Sequence, residues 1–477
     1  LWDNAAEAAR RAGNAAAAID YAGRALDYYT EHSQPRAAAA ARSRRGLCLQ
    51  GMGRHAEARE ELLAALEILR VQPDVHTVRA LEYLASLEAF SGSPDADRLS
   101  TEALTLGQAL DVDLDTLMGL FLTRAIYLLT HHRRPEAAAY LRENVRLATQ
   151  AGESLEVGRA LLNLSDLEAS TDPAAAAEDA RAAASHLRRA GATRHLAVAI
   201  ANLTQALLML GDWNAAEAEL SGAADADGLG GFDYIGANRG LVAALRGDAA
   251  TAQATLDALG AMRASEDPQA QCQIFVLEAF TAVARDQPAA AFRHARATLS
   301  FAEALGLTSD SIRWAWPLAA RMAWDLGDTA AATELLGMID ARQPGELSRL
   351  LWAERDLARA RLAPRDDTKA AAEAFAAAIR SLRDHGTPYH LAHGLLDHAS
   401  YLADAGDATA ASQAAAEARD LAGKLRCQPL LDRTDDLISR MPDLATPPAD
   451  SVPASRADTA TRAAASRARD ELLEVRP

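Results

Sequence analysis

The chain has 477 residues, enough for about three ordinary domains or for one long repeat array. Alanine makes up about a quarter of it and aromatics only 5%, which favours helix and argues against sheet-rich folds. With 49 basic residues against 66 acidic, the net charge of -17 is a poor match to a nucleic-acid-binding surface or to an anionic membrane.

The first element opens at Trp2 and runs to a turn at Gly13-Asn14-Ala15. Further turns of the same kind follow at Gly53-Arg54-His55-Ala56, Gly92-Ser93-Pro94, Arg134-Pro135-Glu136, Asp172-Pro173-Ala174 and Gly211-Asp212-Trp213. The series continues through Gly247-Asp248-Ala249, Asp286-Gln287-Pro288, Gly327-Asp328-Thr329, Asp366-Asp367-Thr368 and Gly406-Asp407-Ala408. The eleven marks lie 36 to 42 residues apart, about 39 on average. Five residues past the mark stands an alanine in ten units: Ala18, Ala58, Ala139, Ala177, Ala216, Ala252, Ala291, Ala332, Ala371 and Ala411. A small residue at a fixed point of each unit is what two closely packed helices require. Ala25-Leu26, Ala65-Leu66, Ala103-Leu104 and Ala378-Ile379 recur farther along the same helix, and Pro94, Pro135, Pro173 and Pro288 fall in first-turn positions. Between marks the apolar spacing is helical, as in Leu81, Leu84 and Leu87.

Each unit therefore reads as helix, short turn, helix, linker. Such a unit cannot bury its own apolar face, and stacking supplies a continuous core. The expected fold is all-α: an α-solenoid of about eleven repeats over residues 1–440, coiled into a superhelix. Residues 441–455, with Pro442, Pro447, Pro448 and Pro453, read as a linker, and residues 456–477 as an Ala/Arg-rich tail, disordered or weakly helical. Gly228-Leu229-Gly230-Gly231 coincides with the shortest spacing. Without a lysine or a preceding strand it reads as a hinge or loosened linker rather than a phosphate cradle.

Several chemistries have no sequence support. Cys48, Cys272 and Cys427 are far apart and form neither a disulfide framework nor a zinc spacing, which fits a reducing cytoplasm. Gly423-Lys424 is followed by Leu425, so it is no phosphate-binding loop, and GxSxG, GxGxxG and HExxH are absent. No stretch approaches 18 uncharged apolar residues, and no membrane contact is expected. The opening Leu1-Trp2-Asp3-Asn4 has no signal-peptide character and no initiating Met, which reads as a processed chain or a fragment.

The mark glycine, the alanine five later and the following Ala-Leu, in that order, resemble tetratricopeptide repeats of the long variety found in bacterial signalling ATPases. The resemblance covers about residues 2–440. A second stretch is more particular: Gly386-Thr387-Pro388-Tyr389-His390-Leu391-Ala392, then Leu395-Leu396-Asp397-His398-Ala399, then Ala418-Arg419-Asp420-Leu421-Ala422 and Leu425 to Leu431. It resembles the end of the repeat region in large actinobacterial signalling proteins, which carry an adenylate/guanylate cyclase domain, a STAND-type AAA ATPase and then repeats. LuxR-type regulators share the ATPase and repeats but end in a DNA-binding helix-turn-helix, which this sequence lacks. The resemblance implies a non-catalytic sensor and partner-binding arm that needs no cofactor of its own, with ATP implied only for an N-terminal module. Its partners are then a protein or peptide, or its own ATPase and cyclase domains, with no nucleic-acid contact by this segment. The alternatives are a stand-alone repeat scaffold and the repeat region of a LuxR-type regulator.

The position nine before the mark lies on the first helix of each unit and is polar at Arg44, Tyr83, Asn163, Asn202, Asn238 and Asp397. In tetratricopeptide proteins that position can face a ligand groove, and Asn offers donors and an acceptor there. The bland reading is that these side chains bridge neighbouring helices. Arg124, Arg159 and Arg239 share those helices and suit carboxylates, or are simply solvated. His393 and Asp397 are i,i+4 neighbours, but one helix rarely supplies the converging ligands a metal needs, so His390, His393 and His398 read as inter-repeat packing. Trp314, Trp316 and Trp324 read as core, with a ligand-contacting aromatic shelf as the alternative.

Overall fold

The computed structural model describes residues 1–11, 14–91, 93–131, 133–223, 233–265, 267–343, 346–363 and 368–440. The expected linker (441–455), tail (456–477) and the Gly228–Gly231 hinge lie outside the described residues.

Among the described residues every regular element is a helix, and eleven helix pairs follow one another in chain order. They are α1 (Trp2–Arg11) with α2 (Ala15–Glu31), α3 (Pro35–Gly51) with α4 (His55–Leu69), α5 (Val75–Phe90) with α6 (Asp95–Ala109), and α7 (Leu114–Thr130) with α8 (Arg134–Ala151). Next come α9 (Ser154–Glu168) with α10 (Pro173–Arg189), α11 (Thr193–Leu210) with α12 (Trp213–Gly222), and α13 (Tyr234–Arg246) with α14 (Ala249–Ala258). The one-turn α15 (Gly260–Arg263) precedes α16 (Pro268–Ala284) with α17 (Pro288–Leu299), and the one-turn α18 (Ala302–Leu305) precedes α19 (Asp310–Asp325) with α20 (Thr329–Asp340). The last pairs are α21 (Arg349–Leu362) with α22 (Thr368–His385) and α23 (Pro388–Asp404) with α24 (Ala408–Leu425), closed by a single helix, α25 (Gln428–Arg440). Eight of the eleven sequence marks fall at the junction inside a pair; Gly13, Gly92 and Asp366 lie outside the described residues. The fold is an α-solenoid of helix-turn-helix repeats.

The Gly-Asp signature has a physical cause. Gly211, Gly247, Gly327 and Gly406 take positive φ, and the next N–H reaches back five residues at 2.9 Å, closing the first helix. The following Asp then caps the second helix: Asp212, Asp248, Asp328 and Asp407 accept from Ala215, Thr251, Ala331 and Ala410 at 2.9–3.1 Å. Where the glycine is missing, Asp286 itself adopts the left-handed conformation.

The alanine five past the mark is buried in nine of its ten units, with Ala18, Ala58, Ala216, Ala252, Ala291 and Ala411 fully sealed. Ala139 is the exception and lies exposed, because α8 starts at the mark itself, two residues early, and Ala137 takes the packed place. Pro94 likewise sits at the N-cap of α6 rather than in its first turn, and Ala96 is the buried small residue there.

First helices pack on first helices and form an inner wall; second helices flank it outside. The superhelix winds tightly enough for successive turns to touch. Arg194 Nη1 donates to the Gly51 carbonyl at 3.0 Å, 143 residues away. The ring of Pro388 lies against Gly211, where a Cβ would come within 2.6 Å of it, and Pro429 lies against Gly247 in the same way. Cys427 Sγ reaches the Leu245 carbonyl at 3.0 Å, and Trp213 stands 5.9 Å from Tyr389. One apolar core cluster accordingly runs from Ala169 to Leu430, whereas residues before it divide among four smaller ones. Among the described residues no helix is long and apolar enough to cross a membrane.

Candidate functional site

The inner wall brings polar side chains together at three levels. At the first level, Glu82 of α5 is faced by Arg79, by Asp115 of α7, and by Glu156 and Arg159 of α9. Gly119 on α7 makes room for it: a Cβ there would meet the Glu82 carboxylate at 2.7 Å. Arg159 is already held by both Glu156 oxygens at 3.0 Å, and Arg79 donates to Thr116 Oγ1 at 3.1 Å. Burial therefore prevails and pushes the Glu82 carboxyl up to about 7, against Arg159 and Arg79. His195 on α11 is driven down to about 3 by burial and by Arg159, Arg194 and Arg10.

The second level lies midway. Gln205 donates to Asn238 Oδ1 at 2.6 Å and accepts from Trp314 Nε1 at 2.9 Å, linking α11, α13 and α19. Beside this relay is a cavity of about 20 Å³ lined by Gln273, Asp310 and Ser311 among others, room for one water. Asp166 of α9 faces Arg313 and Arg134; it is exposed to solvent, yet its carboxyl is pushed up by burial.

The third level is sealed. Arg361 of α21 and Arg433 of α25 share Asp397 of α23; Arg433 binds it at 2.5 Å and His393 Nδ1 at 2.8 Å. Burial opposes the Asp397 charge, but Arg361, Arg433 and Arg321 outweigh it and hold the carboxyl below its usual range. His390 and His393 are kept neutral by burial and by the surrounding arginines. Thr387 Oγ1 lies 2.7 Å from His390 Nδ1, which fixes that ring at the start of α23.

The sequence candidates scatter across these levels. Arg44 pairs with Asp3 of α1, which also accepts from the Tyr29 hydroxyl at 2.7 Å. Tyr83 is half-buried against the core of α3 to α7, and burial pushes its hydroxyl well above the usual range. Arg124 turns to α6, binding Asp97 at 2.5 Å and Ser100 at 2.9 Å. Asn163 bonds the Arg159 carbonyl of its own helix, whereas Asn202 reaches Leu162 and Ser165 of α9 at 3.3 Å. Arg239 donates to Leu220 of α12. Asn202, Asn238 and Asp397 thus bridge neighbouring first helices, Arg159 borders the Glu82 level, and Arg44 and Arg124 lie apart from them. His398 stacks on Phe375, Trp314 and Trp316 are buried, and Trp324 is half-buried. Sequence reasoning missed Glu82, Arg313, Arg321, Glu354, Arg361 and Arg433. For Arg321 the signal is a charge set among alanine and leucine on a first helix, Leu318-Ala319-Ala320-Arg321-Met322-Ala323. Among the described residues no group of three or more His, Cys, Asp or Glu is arranged to hold a metal.

No family model matches the chain, and no curated protein matches it. Solved structures do. A Rap protein complexed with competence and sporulation factor is 15% identical, with 65% of this chain and 98% of that one covered and a TM-score of 0.46. The human IFIT1 dimer with PPP-AAAA is 13% identical, covers 90% and 94%, and has the same TM-score. Yeast Tom70 is 13% identical, covers 92% and 95%, and scores 0.36.

Proposed function

We propose that this chain is a non-catalytic interaction and sensing module. A peptide or protein segment would lie along the inner wall and meet the polar side chains of the first helices. The observation that carries this reading is the composition of the wall. Arg79, Glu82, Glu156 and Arg159 gather from α5 and α9, with His195 of α11 beside Arg159, and among the described residues Glu82 has no ion-pair partner in spite of two nearby arginines. A buried carboxylate left unpaired is one a partner can complete.

The finer reading rests on the resemblance at Gly386–Leu431. The array would be the regulatory arm of a larger ATP-binding signalling protein, joined to an ATPase and a cyclase domain, and ligand occupancy would shift the population of array conformations. The test is the reading frame upstream of the Leu1 codon, followed by nucleotide turnover of the whole protein with and without residues 1–440. An in-frame phosphate-binding loop, and turnover that changes when the array is removed, support the reading. A start codon immediately upstream overturns it and leaves a free-standing scaffold.

A further inference from the structure

Fifteen buried side-chain nitrogen or oxygen atoms among the described residues have no hydrogen-bond partner, and seven belong to five side chains in one region. They are Nε and Nη1 of Arg313, Nε and Nη2 of Arg321, Nε of Arg361, Oε1 of Glu354 and Nε2 of His393. Buried polar groups are nearly always satisfied, so such a concentration means that something polar belongs there.

The charges say what kind of group. Asp397 serves two cations at once, Arg361 in the core and Arg433 at the mouth, and the exposed Asp325 faces Arg433. Arg313 has Asp310 and faces Asp166. Arg321, only 3% exposed, has no ion pair among the described residues; it lies 5.9 Å from the Tyr389 ring, also acts on the Tyr389 hydroxyl, and feels Asp397 only beyond ion-pair distance. The other carboxylate near it is Glu354, whose Oε1 makes no hydrogen bond and whose carboxyl burial pushes up to about 7. His390 and His393 are neutral and add no negative charge. Arg321 and Arg361 therefore have only Asp397 as a permanent counter-charge, and they share it with Arg433, in a place where uncompensated charge is costly. Water would satisfy their N–H groups but leave the charge. A cation is excluded by the arginines, and a bulky anion by the depth, since Arg321 and Arg361 are only 3% and 6% exposed.

We propose that this part of the core is a binding site for a small inorganic anion of chloride size, held by Arg321 and Arg361 between α19, α21 and α23. The bound ion ties three successive repeats together and stabilises the end of the array on which α25 closes.

The experiment compares sodium chloride with sodium gluconate at equal ionic strength, about 0.15 M. The thermal midpoint of the wild-type chain is expected to be higher in chloride by on the order of 2 °C or more. ³⁵Cl resonance broadening by the wild type is expected to saturate and to be displaced by bromide. Arg321→Met removes both effects, while Glu354→Gln, which leaves the two arginines in place, keeps them. Absence of displaceable ³⁵Cl broadening by the wild type overturns the proposal, whether or not Arg321→Met folds. A chloride response equal in wild type and Arg321→Met also overturns it, because the ion then acts elsewhere.

Discussion

Gly211 and Gly406 have the same place in their units, the same sign of φ (+81° and +86°) and the same Asp after them, but different surroundings. A Cβ on Gly406 meets nothing within 4 Å, whereas one on Gly211 comes 2.6 Å from Pro388 Cγ and 3.2 Å from its Cβ, on the next superhelical turn. Gly406→Ala therefore incurs only the left-handed backbone cost, about 1 kcal/mol. Gly211→Ala incurs the same cost plus overpacking against a rigid ring at the first turn of α23, a further 1–3 kcal/mol or so. Urea unfolding followed by tryptophan fluorescence measures both, and Trp213 beside Tyr389 makes the emission sensitive to this contact. The expected gap between the variants is at least about 1 kcal/mol, with Gly211→Ala the weaker. Equal destabilisation would refute the contact between turns, since that contact is the difference between the two sites.

Glu354→Gln tests the sealed level through pH. The folded-state pKa of Glu354 lies above its unfolded value, so the unfolded chain releases its proton first as pH rises. Stability attributable to this group is full below about pH 4.5, falls through the interval up to about 7 and is flat above, a loss of at most about 3 kcal/mol. The variant is expected to remove that slope and to be more stable than wild type at pH 8 by denaturant melts; an unchanged slope contradicts the assignment. Trp316→Ala, at a fully buried indole whose N–H donates to Leu335 at 3.0 Å, is expected to cost about 3–5 kcal/mol in the same melts. Asn238→Ala strands the Gln205 amide and costs about 1–3 kcal/mol, whereas Asn163→Ala, whose amide bonds its own helix, stays within about 0.5 kcal/mol.

The repeat was legible because the turn chemistry is local. A positive-φ glycine and a capping aspartate act within six residues, so Gly247-Asp248 or Gly327-Asp328 announces its junction without tertiary help. Register was less legible where that chemistry is absent: beside Pro94 and Pro135 the helix start moves relative to the mark, and the packed alanine falls at Ala96 and Ala137, one and two residues before the expected place. The polar levels were only half visible. Asn202, Asn238 and Asp397 follow from a fixed offset in the unit. Arg321, Glu354 and Arg433 meet across α19, α21 and α25 because of how the superhelix coils, and no offset within one unit encodes that. The same holds for Pro388 and Pro429, which read as helix starts and turn out also to be contacts to Gly211 and Gly247.

Those two prolines, with Arg194 on the Gly51 carbonyl, make this array a spring wound to its solid height. A coil whose turns already touch resists compression, because shortening it presses proline rings into backbone. It yields in tension, because drawing the ends apart gives up only a few contacts between turns while leaving each repeat packed on its neighbour. Load applied along the axis thus meets a stiff response in one direction and a compliant one in the other, and the array rectifies force.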